Sequence, residues 1–215
     1  MSYAAVLDLR PMRAQRDMSD CCEIQSLRAE QHDVVFYEGD AAGRYFKLVE
    51  GAMMLYRLLP DGRRQIVALL SPGDYFGLTS AAEYDCTAEV LRPSRVAAYD
   101  RDACSGAGGF QQVLAGHLVE KLSAMHAHMV LLGRKSAMER LATFLAELAG
   151  RVEEGQARIR LSMTRQEIAD YLGLTIETVS RSFSDLRRRG VIAMERQDLI
   201  LIGDMSAITA LTGDE

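Results

Sequence analysis

"MTRQEIADYLGLTIETVSRSFSDLRRRG", residues 163–190, decides the fold of the C-terminal part of the chain. Thr164, followed three residues later by Glu167, forms a capping box, in which each side chain accepts a hydrogen bond from the backbone at the start of a helix. Gly173 supplies a turn, because glycine adopts backbone angles that let the chain change direction. Thr175 then caps a second helix. The stretch therefore predicts a helix-turn-helix.

The second helix carries Glu177, Ser180 and Arg181 at positions i, i+3 and i+4, so the three side chains share one face. They lie opposite the apolar face, which contains Val179, Phe183 and Leu186. The N-terminal half of a recognition helix is the part that enters the major groove of DNA. Arginine pairs with guanine, glutamate accepts from the amino group of cytosine, and serine reaches a base or a phosphate. We expect the trio to read bases.

Other side chains of the same segment are candidates for contacts with the DNA backbone. Cations and hydroxyl groups supply such contacts, and the candidates are Thr164, Arg165, Thr175, Thr178, Arg187 and Arg188. A β-hairpin at 190–204 is predicted to follow as a wing. The charge supports DNA binding only weakly, since 134–200 contains 12 Lys and Arg against 10 Asp and Glu in a chain of net charge −5.

The trio has two other interpretations. Glu177 and Arg181 have the spacing of an ion pair on a solvated helix, but the predicted helix-turn-helix and wing around them favour base reading. A hydrolytic site would need a general base, and no histidine occurs in residues 129–215. The chain also contains no nucleophile–base pair, metal cluster or phosphate-binding loop by sequence, so we expect that it is not an enzyme.

The region upstream has a different sequence pattern. From His32 to about residue 102, short β-rich runs separated by glycines recur, which predicts a small antiparallel barrel or roll. Pro60-Asp61-Gly62 between two apolar runs predicts a hairpin. Residues 1–30 are polar and mixed, and we expect a flexible start and a short helix there.

A long helix is predicted next, because the hydrophobic period changes from two to between three and four. Its apolar stripe is narrow and suits a parallel partner helix, as in a dimer; it consists of Leu114, Leu118, Leu122, Met125, Met129 and Leu132. The alternative is that this stripe packs on the chain's own β-roll. Gly133, with "GRKS" at 133–136, is predicted to be a hinge, and 137–151 to be a second amphipathic helix.

Composition predicts a cytoplasmic protein. No run of about 18 apolar residues is present, so no transmembrane helix is expected, and no apolar signal segment is apparent near the start. The four cysteines, Cys21, Cys22, Cys86 and Cys104, lack the dense spacing of a disulfide scaffold.

With these motifs, the chain resembles the Crp/Fnr family of bacterial transcription regulators over nearly all of its length, and "TRQEIADYLGLTIETVSR" resembles the Fnr and FixK branch. The resemblance implies an α+β architecture in three segments. These are an antiparallel β-roll of the cyclic-nucleotide-binding type at 1–109, a dimerisation helix at 110–133, and a winged helix-turn-helix at 134–215. It also implies that Glu177, Ser180 and Arg181 read a TTGA-type half-site.

The family resemblance sets requirements for a signal, and this sequence departs from two of them. Family members that bind cyclic AMP have an arginine for the phosphate and a glutamate after the glycine of the turn. Here Leu78 follows Gly77, no Lys or Arg occurs between Arg64 and Arg92, and acids take the place of the expected cation: Glu83, Asp85 and Glu89. Carboxylates repel a phosphate, so cyclic AMP binding is not expected.

An iron–sulfur cluster is not expected either. Such a cluster needs four thiolates, whereas the N-terminal part offers only the adjacent Cys21 and Cys22, and Ala97 stands where the resemblance places the fourth ligand. A redox role for Cys21-Cys22 remains the less favoured alternative to a structural one. The four histidines lack the spacing of a metal site, and none is singled out as a haem ligand: His32, His117, His126 and His128.

The sequence thus predicts a dimeric regulator that binds double-stranded DNA at a TTGA-type palindrome, in an oxygen- or nitrogen-responsive cascade. RNA polymerase is the expected protein partner if the regulator is an activator, and no membrane partner is expected. The alternative is a regulatory module that senses a cyclic nucleotide or haem and acts through a protein partner. The missing cation in the roll argues against that alternative.

Overall fold

The computed structural model of this chain describes four ranges: 23–105, 108–150, 157–196 and 198–214. The described residues form two compact units, 23–123 and 124–214, and the boundary between them falls inside a long helix. The three-segment division made from the sequence stays a prediction.

The first unit is an antiparallel β-roll. Its strands are β1 (Glu23–Ala29), β2 (Val34–Phe36), β3 (Arg44–Leu58), β4 (Arg64–Leu70), β5 (Tyr75–Phe76) and β6 (Thr87–Asp100). The long strand β6 pairs with β1, β2 and β3, and β3 pairs in turn with β4 and β5. The antiparallel roll expected from the glycine-separated β-rich runs is therefore confirmed.

The turn between β3 and β4 forms where Pro60-Asp61-Gly62 predicted it. The Leu59 N–H donates to the Arg63 carbonyl at 2.8 Å, and the Gly62 N–H donates to the Leu59 carbonyl at 2.8 Å. Gly62 has a φ of 84°, a conformation that glycine adopts without steric cost. These bonds close the hairpin.

The prediction of a short helix within residues 1–30 is wrong for residues 23–29, which form β1; the remainder of that prediction lies outside the described residues. β1 pairs with β6 far along the chain, for example Leu27 with Val96 and Ala29 with Ser94. Strand pairing at such a separation overrides local propensity, and polar composition alone gives no sign of it.

Gly51 marks a close approach of two strands. It lies in β3 at a φ of 100°, and a Cβ atom there would meet Ser94 Oγ at 2.1 Å and the Pro93 carbonyl oxygen at 2.6 Å. The Ser94 hydroxyl occupies the space, where it donates to the Arg92 carbonyl at 2.7 Å and accepts from the Ala52 N–H at 3.2 Å. Only glycine combines the backbone angle with this proximity.

Aromatic rings fill the interior of the roll. The Phe36 ring stacks on the Tyr84 ring with centroids 3.8 Å apart, and it also lies 5.5 Å from Phe46 and 6.0 Å from Phe76. The Tyr84 hydroxyl donates to the Arg44 carbonyl at 2.8 Å, so the ring is fixed in place. All four rings are buried, and such close packing is typical of a protein core.

Two helices follow the roll, α1 (Arg101–Ser105) and α2 (Gly108–Arg134). The first half of α2 packs on the roll of its own unit: Leu114 is 6% exposed and clusters with Tyr99 and Phe110. The Lys121 ammonium pairs with the Asp74 carboxylate at 2.8 Å. The sequence stripe had placed Leu114 in a dimer seam. The structure instead buries Leu114 against the roll of its own chain.

Gly133 lies within α2, and the helix ends one residue later at Arg134. The non-helical link to the next helix consists of Lys135 and Ser136. The break between the two helices therefore falls inside the predicted hinge segment 133–136, at Lys135 and Ser136. Gly133 itself is helical, because an isolated glycine can continue a helix at a modest energetic cost.

The second unit is a winged helix-turn-helix, as predicted. After the end of α2 its elements are α3 (Ala137–Ala149), β7 (Ala157–Arg160), α4 (Arg165–Leu172), α5 (Ile176–Arg188), β8 (Ile192–Met194), β9 (Leu199–Ile202) and α6 (Met205–Thr209). The strands form an antiparallel sheet in the order β7-β9-β8. Each helix buries one apolar stripe, as with Leu141 and Leu145 of α3 or Ile168 and Leu172 of α4.

Candidate nucleic-acid interface

The two helices of the helix-turn-helix begin and end at the residues that the sequence indicated. The Glu167 N–H donates to Thr164 Oγ1 at 3.2 Å, and the Thr164 N–H donates to Glu167 Oε2 at 2.6 Å. Gly173 ends α4 in the left-handed conformation, with φ 62° and ψ 40°. Thr175 Oγ1 accepts from the Thr178 N–H at 3.2 Å and so caps α5. The capping box, turn and second cap are therefore confirmed.

The orientation of α5 follows from its buried face. Val179, Phe183 and Leu186 are buried against the rest of the unit. Residues three and four positions apart share a face on a helix, so the opposite face must point outward. The structure places Glu177, Ser180 and Arg181 together on that outward face, and all three side chains are exposed.

The charges of the trio do not neutralise each other. Arg181 Nη2 donates to Thr178 Oγ1 at 3.3 Å, and no ion pair joins Glu177 to Arg181 within the described ranges. A hydrogen bond with its own backbone N–H, aided by the Thr175 hydroxyl and the Arg181 charge, lowers the pKa of Glu177. The glutamate is therefore ionised at neutral pH, as an acceptor for a base amino group must be.

A pocket of about 200 Å³ lies beside the trio, between α4, α5 and β8. The Arg165 guanidinium forms one wall, stacked 3.3 Å from the centroid of the Phe183 ring. Its Nη2 donates to Met194 Sδ at 3.5 Å, while Nη1 is buried without a hydrogen-bond partner among the described residues. Burial lowers the pKa of Arg165, but an arginine remains charged in proteins. The pocket suits an anion.

The arginines at the end of α5 differ in how they are paired. Asp185 binds both Arg188 and Arg189, the latter at 2.7 Å. Arg187 lines the pocket and forms no ion pair in the described part of the chain. Thr164 and Thr175 are exposed at the helix starts, whereas Thr178 is half-buried. Of the two arginines at the end of α5 that the sequence assigned to phosphates, Arg187 and Arg188, Arg187 is therefore the more accessible cation.

The outward surface of α2 carries an apolar stripe. Leu118, Leu122, Met125 and Met129 are each more than half exposed, up to 67% for Met129. Leu132 is half-buried. Val119 and Val130, which the sequence stripe did not include, are exposed as well. Among the described helices, α2 thus presents an apolar surface that the other described residues leave uncovered.

In the roll, the three acids that stand where the family resemblance places a cation differ in their exposure. Glu83 and Asp85 are exposed, while Glu89 is buried and accepts from His32 Nδ1 at 3.1 Å and Arg64 Nη1 at 3.5 Å. Burial and the neighbouring Asp85 carboxylate raise the pKa of Cys86 to about 12. A thiol that stays protonated is a poor metal ligand.

Family models match both parts of the chain. A model of the Crp-like helix-turn-helix domain covers residues 139–211, and a model of the cyclic nucleotide-binding domain covers residues 26–107. No helix in the described ranges is both long and apolar enough to span a bilayer. Fold, site and matches together define a DNA-binding transcription regulator.

Similar proteins narrow this class. The nitrogen fixation regulation protein FixK of Bradyrhizobium diazoefficiens is 37% identical over 209 residues, covering 91% of this chain and 86% of that protein. The chain belongs to the Crp/Fnr family, in its Fnr/FixK-like branch. The transcriptional activator protein FnrL of Cereibacter sphaeroides is 34% identical, covering 84% of this chain and 77% of FnrL. The structure of FixK2 from Bradyrhizobium japonicum matches with a TM-score of 0.75 and 35% identity. The match covers 87% of this chain and 96% of the FixK2 chain.

Two features of the site were missed by sequence reasoning. The stack of Arg165 on Phe183 joins residues of different helices, and Arg140 of α3 binds backbone carbonyls at the ends of α2 and α4. Neither has a local sequence signal, since spacing patterns report neighbours along one element only.

Proposed function

We propose that this regulator reads a TTGA-type palindrome through the outward face of α5. Arg181 pairs with the guanine of each half-site, Glu177 faces bases of the opposite strand, and Ser180 contacts a neighbouring base or phosphate. The observation that carries the proposal is the joint exposure of these three side chains on one face. Their polar groups remain able to form new hydrogen bonds because no ion pair between Glu177 and Arg181 occurs among the described residues.

The backbone contacts proposed around this face come from both helices. The pocket beside α5 receives a phosphate, with Arg165 and Arg187 as cations. The hydroxyls of Thr164 and Thr175 lie at helix starts, where the partial positive charge of the helix also attracts a phosphate. Thr178 and Arg188 complete the set but are already engaged, Thr178 with Arg181 and Arg188 with Asp185.

We further propose that two copies pair in parallel through the apolar stripe of α2. A contiguous row of exposed apolar side chains on one helix face is unfavourable in water and marks an interaction site. The stripe consists of Leu118, Leu122, Met125, Met129 and Leu132. A symmetric dimer would present two recognition helices to successive turns of DNA, which matches a palindrome. If the regulator activates transcription, RNA polymerase is its further partner.

The proposed regulator requires neither cyclic AMP nor an iron–sulfur cluster. Buried rings fill the roll, with Phe36 stacked on Tyr84, and Glu89 already has hydrogen-bond partners in His32 and Arg64 of the roll itself. Cys86 and Cys104 are both buried, while Cys21 and Cys22 lie outside the described residues. By analogy with FixK and FnrL, the protein acts in an oxygen- or nitrogen-responsive cascade, in which its abundance transmits the signal.

The proposal is tested by fluorescence anisotropy with a labelled TTGA-type palindrome and with the same duplex substituted at both guanines. We expect tight binding to the first, weaker binding to the second, and no change on adding millimolar cyclic AMP. A tenfold gain in affinity with cyclic AMP, about 1.4 kcal/mol, would show that the roll does bind the nucleotide. Equal affinity for both duplexes would refute base reading.

The dimer is tested by Leu118→Asp and Met125→Asp. A carboxylate at either position would be desolvated in the seam, so each variant is expected to be monomeric and to bind the palindrome weakly. Sedimentation velocity at micromolar concentration measures the assembly state. Glu120→Gln, on an exposed position of the same helix, is the control and should stay dimeric. If both aspartate variants are still dimers, the proposal that the α2 stripe forms the dimer interface is wrong.

A further inference from the structure

One guanidinium gathers the ends of two helices in the second unit. Arg140, in the first turn of α3, donates from Nη2 to the Leu132 carbonyl at 2.7 Å and from Nε to the Lys135 carbonyl at 2.9 Å. Its Nη1 donates to the Leu172 carbonyl at 2.9 Å and to the Gly173 carbonyl at 3.4 Å. The first pair of acceptors lies at the end of α2, and the second pair at the end of α4.

These acceptors need an external donor. The last carbonyls of a helix have no partner within the helix, and the C-terminal end of a helix carries partial negative charge that favours a cation. Arg140 meets both needs for α2 and α4 together. A lysine could not do the same, because its point charge lacks the planar fork that holds several acceptors at fixed angles.

A second contact joins the same two helices. The His128 ring of α2 stacks on the Tyr171 ring of α4, with centroids 4.4 Å apart and an angle of 23° between planes. Both ring nitrogens of His128 are buried without a hydrogen-bond partner among the described residues. The imidazole therefore acts as a packing surface, and the contact leaves the ends of the helices to Arg140 for their polar links.

The junction therefore connects the element proposed for dimerisation directly to the helix-turn-helix. The Arg140 acceptors at Leu132 and Lys135 lie at the C-terminal end of the α2 stripe, and the acceptors at Leu172 and Gly173 form the turn before α5. The turn sets the direction in which α5 leaves. A change in the angle between α2 and α4 would hence move the recognition helix relative to the dimer axis.

We propose that Arg140 is a specificity-determining positioning residue, which fixes the spacing between half-sites that the dimer accepts. This inference rests on the proposed function, since spacing has meaning only for a dimer on a palindrome. One base pair added between half-sites rotates the second half-site by about 35° and moves it by about 3.4 Å. A rigid junction rejects such a site, and a loosened junction tolerates it.

The test compares three palindromes, with the preferred spacing and with one base pair more or fewer, for wild type, Arg140→Met and Arg140→Lys. Wild type is expected to discriminate by about tenfold or more between spacings, a cost similar to one mismatched base pair. Arg140→Met should discriminate by less than about threefold while it keeps its preference for guanine within a half-site. Arg140→Lys should give an intermediate value because it restores charge without the fork.

Arg134→Met is the matched control. Arg134 stands at the end of α2, is exposed, and makes no hydrogen bond or ion pair within the described ranges. Its removal should leave discrimination between spacings at the wild-type value, although it takes away the same charge. Circular dichroism and sedimentation establish that each variant is folded and dimeric. If Arg140→Met does not fold, Arg140→Lys decides the question alone.

Each outcome has one meaning. Wild-type discrimination in a folded, dimeric Arg140→Met, or in Arg140→Lys where the first does not fold, overturns the role of Arg140. Equal loss in Arg134→Met overturns it too, because charge alone would then explain the effect. If wild type itself fails to prefer a palindrome over a single half-site, the proposed function fails, and this result is distinct from both others.

Discussion

The outward face of α5 and the polar cluster around Glu89 in the β-roll both contain carboxylates and cations, but they differ in how those charges are paired. Around Glu89, His32 and Arg64 approach a buried carboxylate. On α5, Glu177 and Arg181 are both exposed, and within the described residues they form no ion pair with each other. Charges that are already paired inside the fold are not free to bind a ligand, whereas exposed charges without an ion pair remain available for one.

The largest effect is expected at Arg181, where the comparison predicts that loss of a free charge impairs binding and not stability. A bidentate contact to guanine discriminates by about 1–3 kcal/mol, and a dimer makes two such contacts. Arg181→Ala should therefore cost up to about 6 kcal/mol on the palindrome and flatten the preference at the guanine. Anisotropy with intact and guanine-substituted duplexes measures both. An unchanged preference for guanine would show that Arg181 does not read this base.

The next effect concerns the filled interior of the roll. Phe36→Ala removes a ring that contacts three others and should destabilise the protein by about 3–5 kcal/mol. Tyr37→Ala is the matched control, since this neighbouring side chain is 58% exposed and should change stability by less than about 0.5 kcal/mol. Urea unfolding followed by circular dichroism measures the difference. A cost below about 1 kcal/mol would indicate a loose interior with space for a ligand.

Glu147 extends the comparison to a half-buried carboxyl that has no ion pair among the described residues. Burial raises the pKa of Glu147 to about 7, and the Lys135 ammonium only partly opposes the shift. Between the unfolded value of 4.5 and about 7, the folded state binds more protons than the unfolded state. Stability attributable to Glu147 therefore falls as the pH rises through this window and stays low above it.

Glu147→Gln should remove this pH dependence. The variant is expected to exceed wild type in the free energy of unfolding by about 1–3 kcal/mol at pH 8. At pH 4, where the wild-type carboxyl is also neutral, the two proteins should be similar. The difference between variant and wild type at each pH is the relevant quantity, because it cancels the other titrating groups. A difference that does not vary with pH would contradict the assignment.

The smallest effect is expected at Arg188, which tests the comparison within one helix. Arg188 pairs with Asp185, whereas Arg187 has no ion pair in the described ranges. Arg187→Ala should reduce the dependence of log affinity on log salt by about one per subunit, equally on all DNA sequences. Arg188→Ala should change that slope by less than half as much. Equal slopes for both variants would show that pairing with Asp185 does not withhold the charge from DNA.

Much of the second unit could be predicted from the sequence because its determinants are local. Thr164 with Glu167, the glycine at 173 and the cap at Thr175 each act within four residues, and the structure has all of them. The face of Glu177 and Arg181 followed from helical spacing alone. Contacts across elements, such as Arg165 on Phe183, have no comparable signal, since they depend on how the helices pack.

The errors in the first unit have the same physical origin. A stripe at helical spacing predicts that Leu114 is buried, but it does not identify the surface that buries it. In the structure that surface is the roll of the same chain. β1 was missed because its pairing partner, β6, lies far along the chain.

The position of β6 at the centre of the roll has a consequence for the order of folding. β1 can pair only when β6 exists, as the partnership of Ala29 with Ser94 illustrates. During synthesis on a ribosome, β1 therefore stays unpaired until almost the whole roll has emerged. Strand pairs so far apart in sequence form slowly. The helical contacts of the second unit are closer in sequence and can form faster. The DNA-binding unit is therefore synthesised last, but it should fold faster than the roll once synthesis is complete.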